Sequence, residues 1–267
     1  MSFLVERASL ILWPGQAIYL GMGLPSTLHR HHAVQVGISL DAPLQVRTQA
    51  HEPYIAQRSF IVGPDVLHQV DAADIPSLFL WSESLALAAL ARRLRATATG
   101  ALPELPSEQL SVLLPGILTC WAEMPDAHAA CTLLSELLQA LLGAKGIEGS
   151  NDPRIAAALS RVTPQFLVDY PQPIAHLAAH VHLSPSWFRH LFRREVGLSV
   201  QRYLLWQRLQ LAMNVSARGA SLTEAAHAAG FADSAHLSRV FRATFGLPPS
   251  LIFKNSHAVQ VIAASGC

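Results

Sequence analysis

The stretch LSPSWFRHLFRREVG, residues 183–197, reads as a short, firmly capped helix with one buried face and one basic face. Ser184 is a good N-cap, because its hydroxyl oxygen can accept from a free amide of the first turn. Pro185 suits the first helical position, where a missing donor costs nothing. Phe188, Leu191, Phe192 and Val196 recur at helical spacing as an apolar stripe. Ser186, Arg189, His190 and Arg193 fall on the other side. A solvated surface helix has the same pattern, so the flanking sequence must decide what the basic face is for.

Upstream, Pro173 opens PIAHLAAHV, with Ile174, Leu177, Ala178 and Val181 on one face. With a turn over 182–184 and the following helix it makes a helix-turn-helix. The unit then repeats in LTEAAHAAGFADSAHLSRVFRATFG, residues 222–246. Leu177-Ala178 matches Ala225-Ala226 at a spacing of 48, whereas Phe192-Arg193 and Gly197 match Phe241-Arg242 and Gly246 at 49. The second turn therefore carries one extra residue, with Gly230 expected to supply its backbone freedom. SVQRYLLWQRLQLAMNV, between the repeats, lacks Gly and Pro and reads as one connecting helix. Two such motifs on a stiff spacer can enter successive major grooves on one face of B-DNA, about 34 Å apart.

In DPRI, LAAHVHLSPSWFRHLFRREVGLS, RLQLA and AAGFADSAHLSRVFRATFGLPPS, residues 152–253 resemble the AraC/XylS family of transcriptional regulators. The second motif, ending in Gly-Leu-Pro-Pro-Ser, is the most specific. Ala225-Ala226 departs from the usual Ile-Ala, which predicts looser packing there. The arginine that often follows the motif is also missing. The resemblance implies that Ser186, Arg189, His190 and Arg193 of the first recognition helix face DNA. It implies the same of Ser234, Ala235, His236, Ser238 and Arg239 in the second. Arginine can grip guanine, serine and histidine can reach bases or phosphates, and alanine can meet a thymine methyl. Trp187 is expected to pack against the first helix of its motif; Arg194, Arg202, Arg208 and Arg242 serve either as phosphate contacts or as solvated or paired surface charges. RNA polymerase follows as a partner from the same resemblance.

Outward from this region, GAKGIEGSNDP, residues 143–153, marks a linker. The 19 Lys and Arg residues and 18 Asp and Glu residues nearly cancel over the 267-residue chain. Residues 1–150 nevertheless hold 8 basic and 13 acidic side chains, and 151–267 hold 11 and 5. Segregated basic charge fits a nucleic-acid-binding module beside a different domain. Before the linker, AIYLGM, AVQVGISL, PLQVRT, RSFIVG and PSLFLW are short β-prone runs separated by turn residues. The period then becomes helical: one helix carries Leu85, Ala88, Ala89 and Leu94, and a second carries Leu110, Leu113, Leu114 and Ile117 and stops or kinks near Pro115. A third has a wide stripe of Leu133, Leu134, Leu137, Leu138, Leu141 and Leu142, which serves either mutual helix packing or a homodimer interface.

The resulting expectation is an α+β chain. It has a cupin-like β-barrel sensor domain over 1–84, a helical segment over 85–142, a linker over 143–152 and an all-α double helix-turn-helix domain over 153–255. Charges interrupt every apolar run, so no membrane span is expected. The amino terminus lacks signal-peptide character, and Cys120, Cys131 and Cys267 suggest neither a disulfide framework nor a metal motif. Both observations point to the cytoplasm.

LHRHH, residues 28–32, places His29 and His31 on one face of a strand by alternation, with Gln35 and His68 as further polar candidates for binding a small-molecule effector. Together with FIVGPDVLHQV this stretch resembles the cupin-like sensor domain found ahead of such DNA-binding domains, and weakly the metal-binding cupin motifs. Metal cupins use two histidines, an acidic residue and a later histidine. Here Gln35 replaces the acid, and Asp65 replaces the usual glycine before His68. Losing the carboxylate weakens an O/N site, so no metal or other cofactor is expected. His176, His180, His31 and His32 look like surface residues. Two function classes remain. One is a transcriptional regulator binding double-stranded DNA; the other is a metal-dependent cupin enzyme fused to a DNA-binding module. The first is preferred, with no catalytic residue.

Overall fold

A computed structural model describes residues 8–13, 15–23, 25–97, 102–143, 152–169, 172–196, 199–250 and 259–263. The chain forms two compact units, Met1–Gly146 with Ser238–Cys267, and Ile147–Leu237. The α+β expectation matches the element order, strands first and helices after.

The first unit holds β1 (Ala8–Trp13), β2 (Gln16–Met22), β3 (Val34–Ser39), β4 (Leu44–Arg47), β5 (Ile55–Gln57), β6 (Ser59–Val62), β7 (Gln69–Asp71), β8 (Pro76–Ser82) and β9 (Val259–Ala263). Six strands make one sheet in the order β6-β3-β8-β2-β1-β9, and β5-β4-β7 make a second. Neighbours are antiparallel except β9, which runs parallel to β1. The five expected β-prone runs coincide with β2, β3, β4, β6 and β8. Strands β1, β5, β7 and β9 were not among them. ASLILW of β1 is buried at all six positions and shows no alternation that would mark it as a strand.

The six-stranded sheet is apolar on both faces because both are covered. Register aligns Ile262, Ile11, Ile18, Leu80, Val36 and Ile61 in one row across all six strands. That row packs with α1 (Leu85–Thr97), α2 (Ser107–Glu123) and α3 (Ala127–Leu142) in one core. The next row, Leu10, Tyr19 and Phe79, points to the opposite face and lines a cavity.

Three expectations change here. The leucine stripe of α3 is taken up inside the unit: Leu133, Leu134, Leu137, Leu138 and Leu141 are all buried, so they cannot form a subunit interface. Helix α2 also runs through Pro115 instead of stopping there. Pro115 is exposed, so water can solvate the carbonyl it leaves free, and buried Leu113, Ile117 and Cys120 anchor both halves. Finally, Cys131 is disulfide-bonded, while Cys120 is buried and free.

The second unit begins with α4 (Pro153–Ser160), α5 (Pro164–Asp169), α6 (Pro173–His180), α7 (Pro185–Val196), α8 (Val200–Ala217) and α9 (Leu222–Ala228). It ends within α10 (Ser234–Phe245), at Leu237, where the sequence reading carries one domain to 255. Helix starts follow side-chain chemistry. Asp152 accepts from the Arg154 amide, Ser199 from the Arg202 amide, and Ser221 forms a capping box with Glu224. Ile155, Phe166, Leu177, Phe188, Leu191, Phe192, Val200 and Tyr203 belong to one core. Ala225 and Ala226 are fully buried, so the missing isoleucine leaves no exposed gap. Among the described residues no helix is long and apolar enough to cross a membrane.

Candidate functional site

The two helix-turn-helix motifs share one turn geometry. After α6, the His182 amide donates to the Ala179 carbonyl at 3.1 Å and the Leu183 amide to the Ala178 carbonyl at 2.9 Å. After α9, the Gly230 amide donates to His227 at 3.1 Å and the Phe231 amide to Ala226 at 2.9 Å. Both are Schellman closures with a left-handed residue, His182 at φ 56 and Gly230 at φ 74. Their spacing is still 48. The extra residue enters afterwards, because Leu183 is followed directly by the cap Ser184, whereas Phe231 is followed by Ala232 and then Asp233. Ser184 Oγ accepts from Trp187 N, and Asp233 Oδ1 from His236 N. Gly230 therefore serves the shared turn and not the insertion. A Cβ at 230 would also lie 3.0 Å from the Leu167 carbonyl. Gly230→Ala is expected to cost about 1–2 kcal/mol in urea denaturation, while His182→Gly should not destabilise.

On α7, Ser186, Arg189, His190 and Arg193 are all exposed and share one side, opposite buried Phe188, Leu191 and Phe192. Trp187 does not pack inward. It is 48% exposed and stacks on His190 with ring centroids 5.5 Å apart, which widens the outer face. Arg194 is paired with Glu195 at 2.8 Å. Arg208 is half-buried and donates to the Leu167 carbonyl at 3.2 Å, and burial lowers its pKa. It is thus held inside the unit and does not reach out as a phosphate contact.

On α10, Ala235 and Arg239 are exposed, whereas Ser234, His236 and Ser238 are half-buried. The His236 ring stands edge-on to Phe231 at 5.4 Å. Counting from the caps, Ser186, Arg189, His190 and Arg193 correspond to Ala235, Ser238, Arg239 and Arg242. Arg242 is exposed and completes that stripe, while Ser234 and His236 occupy the places of Pro185 and Trp187. The cap-to-cap count could have found this from sequence, once Asp233 was recognised as the cap.

In the first unit, Leu10, Tyr19, Ser26, His29, Gln35, Val70, Phe79, Trp81, Phe245 and Leu247 line a partly open cavity with about 530 Å³ of non-atom space, some of it continuous with solvent. The Trp81 indole N–H is buried and has no hydrogen-bond partner among the described residues. Burial pushes the Tyr19 phenol up to about 12, so it stays protonated.

The structure brings His29, His31, Gln35 and His68 together, though not on a regular strand. His29 and His68 form an isolated antiparallel bridge, each amide donating to the other's carbonyl at 2.9 Å. Ring centroids lie 4.4 Å apart for His29 and His68, 4.9 Å for His31 and His68, and 5.4 Å for His29 and His31. His31 is only 2% exposed and not the surface residue expected; His32 is exposed and pairs with Asp65 at 3.1 Å. Asp65 takes φ 60, a left-handed conformation that glycine adopts at least cost.

Each imidazole Nδ1 meets a backbone carbonyl: His29 that of Thr27 at 2.6 Å, His31 that of Ala33 and His68 that of Val66, both at 2.9 Å. Carbonyls only accept, so Nδ1 carries the proton and Nε2 is left bare. Burial lowers the His31 pKa to about 4, with the Gln35 hydrogen bond opposing and His29 adding to the shift. Burial, then His31 and His29, hold His68 well below the ordinary range, and burial also lowers His29. All three rings are therefore neutral near pH 7. Gly246 packs against His29, where a Cβ would fall 2.0 Å from Nε2.

Paired helix-turn-helices on one connecting helix make this a double helix-turn-helix protein. Residues 177–255 match a family described as a helix-turn-helix domain. The uncharacterised HTH-type transcriptional regulator YidL of Escherichia coli K12 is 38% identical over 84 residues, 31% of this chain and 28% of that protein. The arabinose operon regulatory protein of the same organism is 33% identical over 124 residues, 45% of this chain and 42% of its own length. The match thus spans less than half of each relative. Among solved structures, apo ToxT from Vibrio cholerae aligns over 93% of this chain and 99% of its own, with a TM-score of 0.47 at 10% identity. Residues 177–255 thus match a helix-turn-helix family, and the curated relatives that match over this part are transcriptional regulators.

Proposed function

We propose that the chain is a sequence-specific, DNA-binding transcriptional regulator of the AraC type. The observation that carries this reading is the duplicated motif, closed by the same turn twice and presenting two exposed arginines on its outer side each time, Arg189 and Arg193, then Arg239 and Arg242. The DNA-binding domain is 153–255, joined by the linker 143–152 to the helical segment 85–142 and the sensor domain 1–84. Helix α8, with 18 residues, is about 27 Å long and acts as the spacer. Ser186, Arg189, His190 and Arg193 read one major groove; Ala235, Ser238, Arg239 and Arg242 read the next, flanked by Ser234 and His236. The cavity takes a small apolar effector with one acceptor group, for which the unpartnered Trp81 indole N–H is the donor. By resemblance, RNA polymerase is the further partner, a homodimer the working state and the cytoplasm the compartment.

Arg189 and Arg194 separate base reading from attraction to phosphate. Arg189 is exposed within the first two turns of α7, whereas Arg194 is near its end and already paired with Glu195. Arg189→Ala should lose about 1–3 kcal/mol on the preferred site and change binding to scrambled duplex little. Arg194→Ala should weaken both duplexes alike and by less. Titrations at one fixed salt concentration, on a site selected from random or genomic DNA, decide the matter. Equal weakening of both duplexes by Arg189→Ala would make α7 a phosphate clamp, and absence of any salt-sensitive duplex binding would remove the regulator reading.

A further inference from the structure

We propose that the two outer helices are positioned separately: α10 takes its place from a seat at the cavity wall, formed by Phe245 and Gly246, whereas α7 is held independently of the cavity. The inference rests on the DNA-binding reading above and assigns control by the cavity to the second motif alone. Phe245 and Gly246 are then positioning residues for Arg239 and Arg242, not DNA contacts themselves.

The motifs differ in what holds their outer helices. Phe188, Leu191 and Phe192 of α7 share one core with Leu177 and Tyr203, inside the second unit. Helix α10 leaves that unit after Leu237, and from Ser238 onward it belongs to the first. Rings fasten its C-terminal half there. Phe241 and Phe245 lie 4.5 Å apart, and Phe245 stands edge-on to Trp81 of β8 at 5.5 Å, an arrangement that aromatic pairs favour. Phe245 is buried and forms part of the cavity wall with Leu247.

Gly246 fixes the seat. With φ 76 it closes the helix, and its amide donates to the Arg242 carbonyl at 2.8 Å. One turn thus carries both a stripe arginine and the cavity wall. The side toward His29 has no spare room, since a Cβ at 246 would fall 2.0 Å from Nε2 and 2.4 Å from Cδ2 of that ring. The ring is not free to swing aside, because its Nδ1 donates to the Thr27 carbonyl at 2.6 Å and the His68 ring lies 4.4 Å away. A contact packed this closely passes a displacement on instead of absorbing it. A molecule in the cavity lies against Phe245 and Leu247, so it acts on the end of α10. Among the described residues, none of the core that holds α7 lines the cavity.

The test measures binding of the full chain to duplexes carrying both half-sites, or one with the other scrambled, at one fixed salt concentration. Sites are selected from random DNA, and Arg189→Ala and Arg239→Ala assign the half-sites to α7 and α10. Gly246→Ala is expected to weaken the full site about tenfold, the loss of roughly one base-reading contact. Scrambling the α10 half-site should then add little, whereas scrambling the α7 half-site should cost as much as it costs the parent. The double variant Gly246→Ala with His29→Ala removes the collision but keeps the strained backbone at 246, and it should recover the full site. Equal weakening through both half-sites, or none, would overturn the proposal while leaving the DNA-binding reading in place. Failure of the double variant to recover would trace the loss to backbone strain and overturn it as well. A parent chain that binds no duplex removes the DNA-binding reading and this inference with it.

Discussion

Leu137→Glu is expected to abolish folding of the first unit, not to dissociate an oligomer. Leu137 is 0% exposed and lies in the core shared by α3, α1, α2 and the isoleucine row of the six-stranded sheet. The substitution removes the transfer free energy of a leucine, leaves space that its neighbours fill only in part, and puts a carboxylate where the core cluster is hydrophobic. A loss above about 4 kcal/mol is expected, a large part of the 5–15 kcal/mol that stabilises a typical domain. The contrast is Val112→Glu on the outer side of α2, where Val112 is 72% exposed and the change should stay within about 0.5 kcal/mol. Urea unfolding followed by near-ultraviolet circular dichroism reads the Trp13 and Trp81 environments and measures both variants. A folded Leu137→Glu chain with native dichroism would show that α3 is not packed as described.

The same stripe shows where sequence pattern stops being informative. Periodicity correctly placed α3 and its apolar face, but a face records only that it is covered, not what covers it. The covering surface is a sheet whose rows pair residues as far apart as Ile11 and Ile262, a separation no local period can register. Strand β1 was hidden for a related reason, since a strand buried on both faces has no alternation. The helix-turn-helix pair was legible because its signals are local: the cap Ser184, the Phe188–Phe192 stripe and the repeat itself. Its fine register was less so. The extra residue precedes Asp233, and that shift exchanges Ser234 and His236 for Arg242 on the outward stripe. At the histidine cluster, alternation put His29 beside His31, but the pairing of His29 with His68 depends on an isolated bridge between two segments outside the named strands. The orientation of three Nδ1 atoms toward carbonyls is set by backbone geometry that composition does not encode.

Phe192→Ala should weaken the proposed DNA binding, although Phe192 is not among the side chains proposed to face DNA. Phe192 is fully buried on the inner side of α7, with its ring 5.7 Å from Phe188 and 5.4 Å from Tyr203 of α8. It therefore joins α7 to α8. Truncation deletes most of a phenylalanine from a close-packed core at a cost of about 3–5 kcal/mol. Both rings beside it prefer edge-on packing, and that contribution disappears too. Helix α7 has only 12 residues and cannot hold its conformation without this packing, so its outward stripe disperses as the unit opens. Preferred and scrambled duplex should then be bound more weakly together, in proportion to the folded fraction, unlike the selective loss expected for Arg189→Ala. Phe192→Leu, which keeps most of the volume, should cost less than about 1.5 kcal/mol and bind DNA nearly as the parent does. Denaturation and duplex titration run on the same three preparations provide the check. If Phe192→Ala melts two or more kcal/mol early yet still discriminates between the duplexes when fully folded at low temperature, α7 is positioned by contacts other than this ring. Equal stability of Phe192→Ala and the parent chain would mean that α7 and α8 are not joined as described.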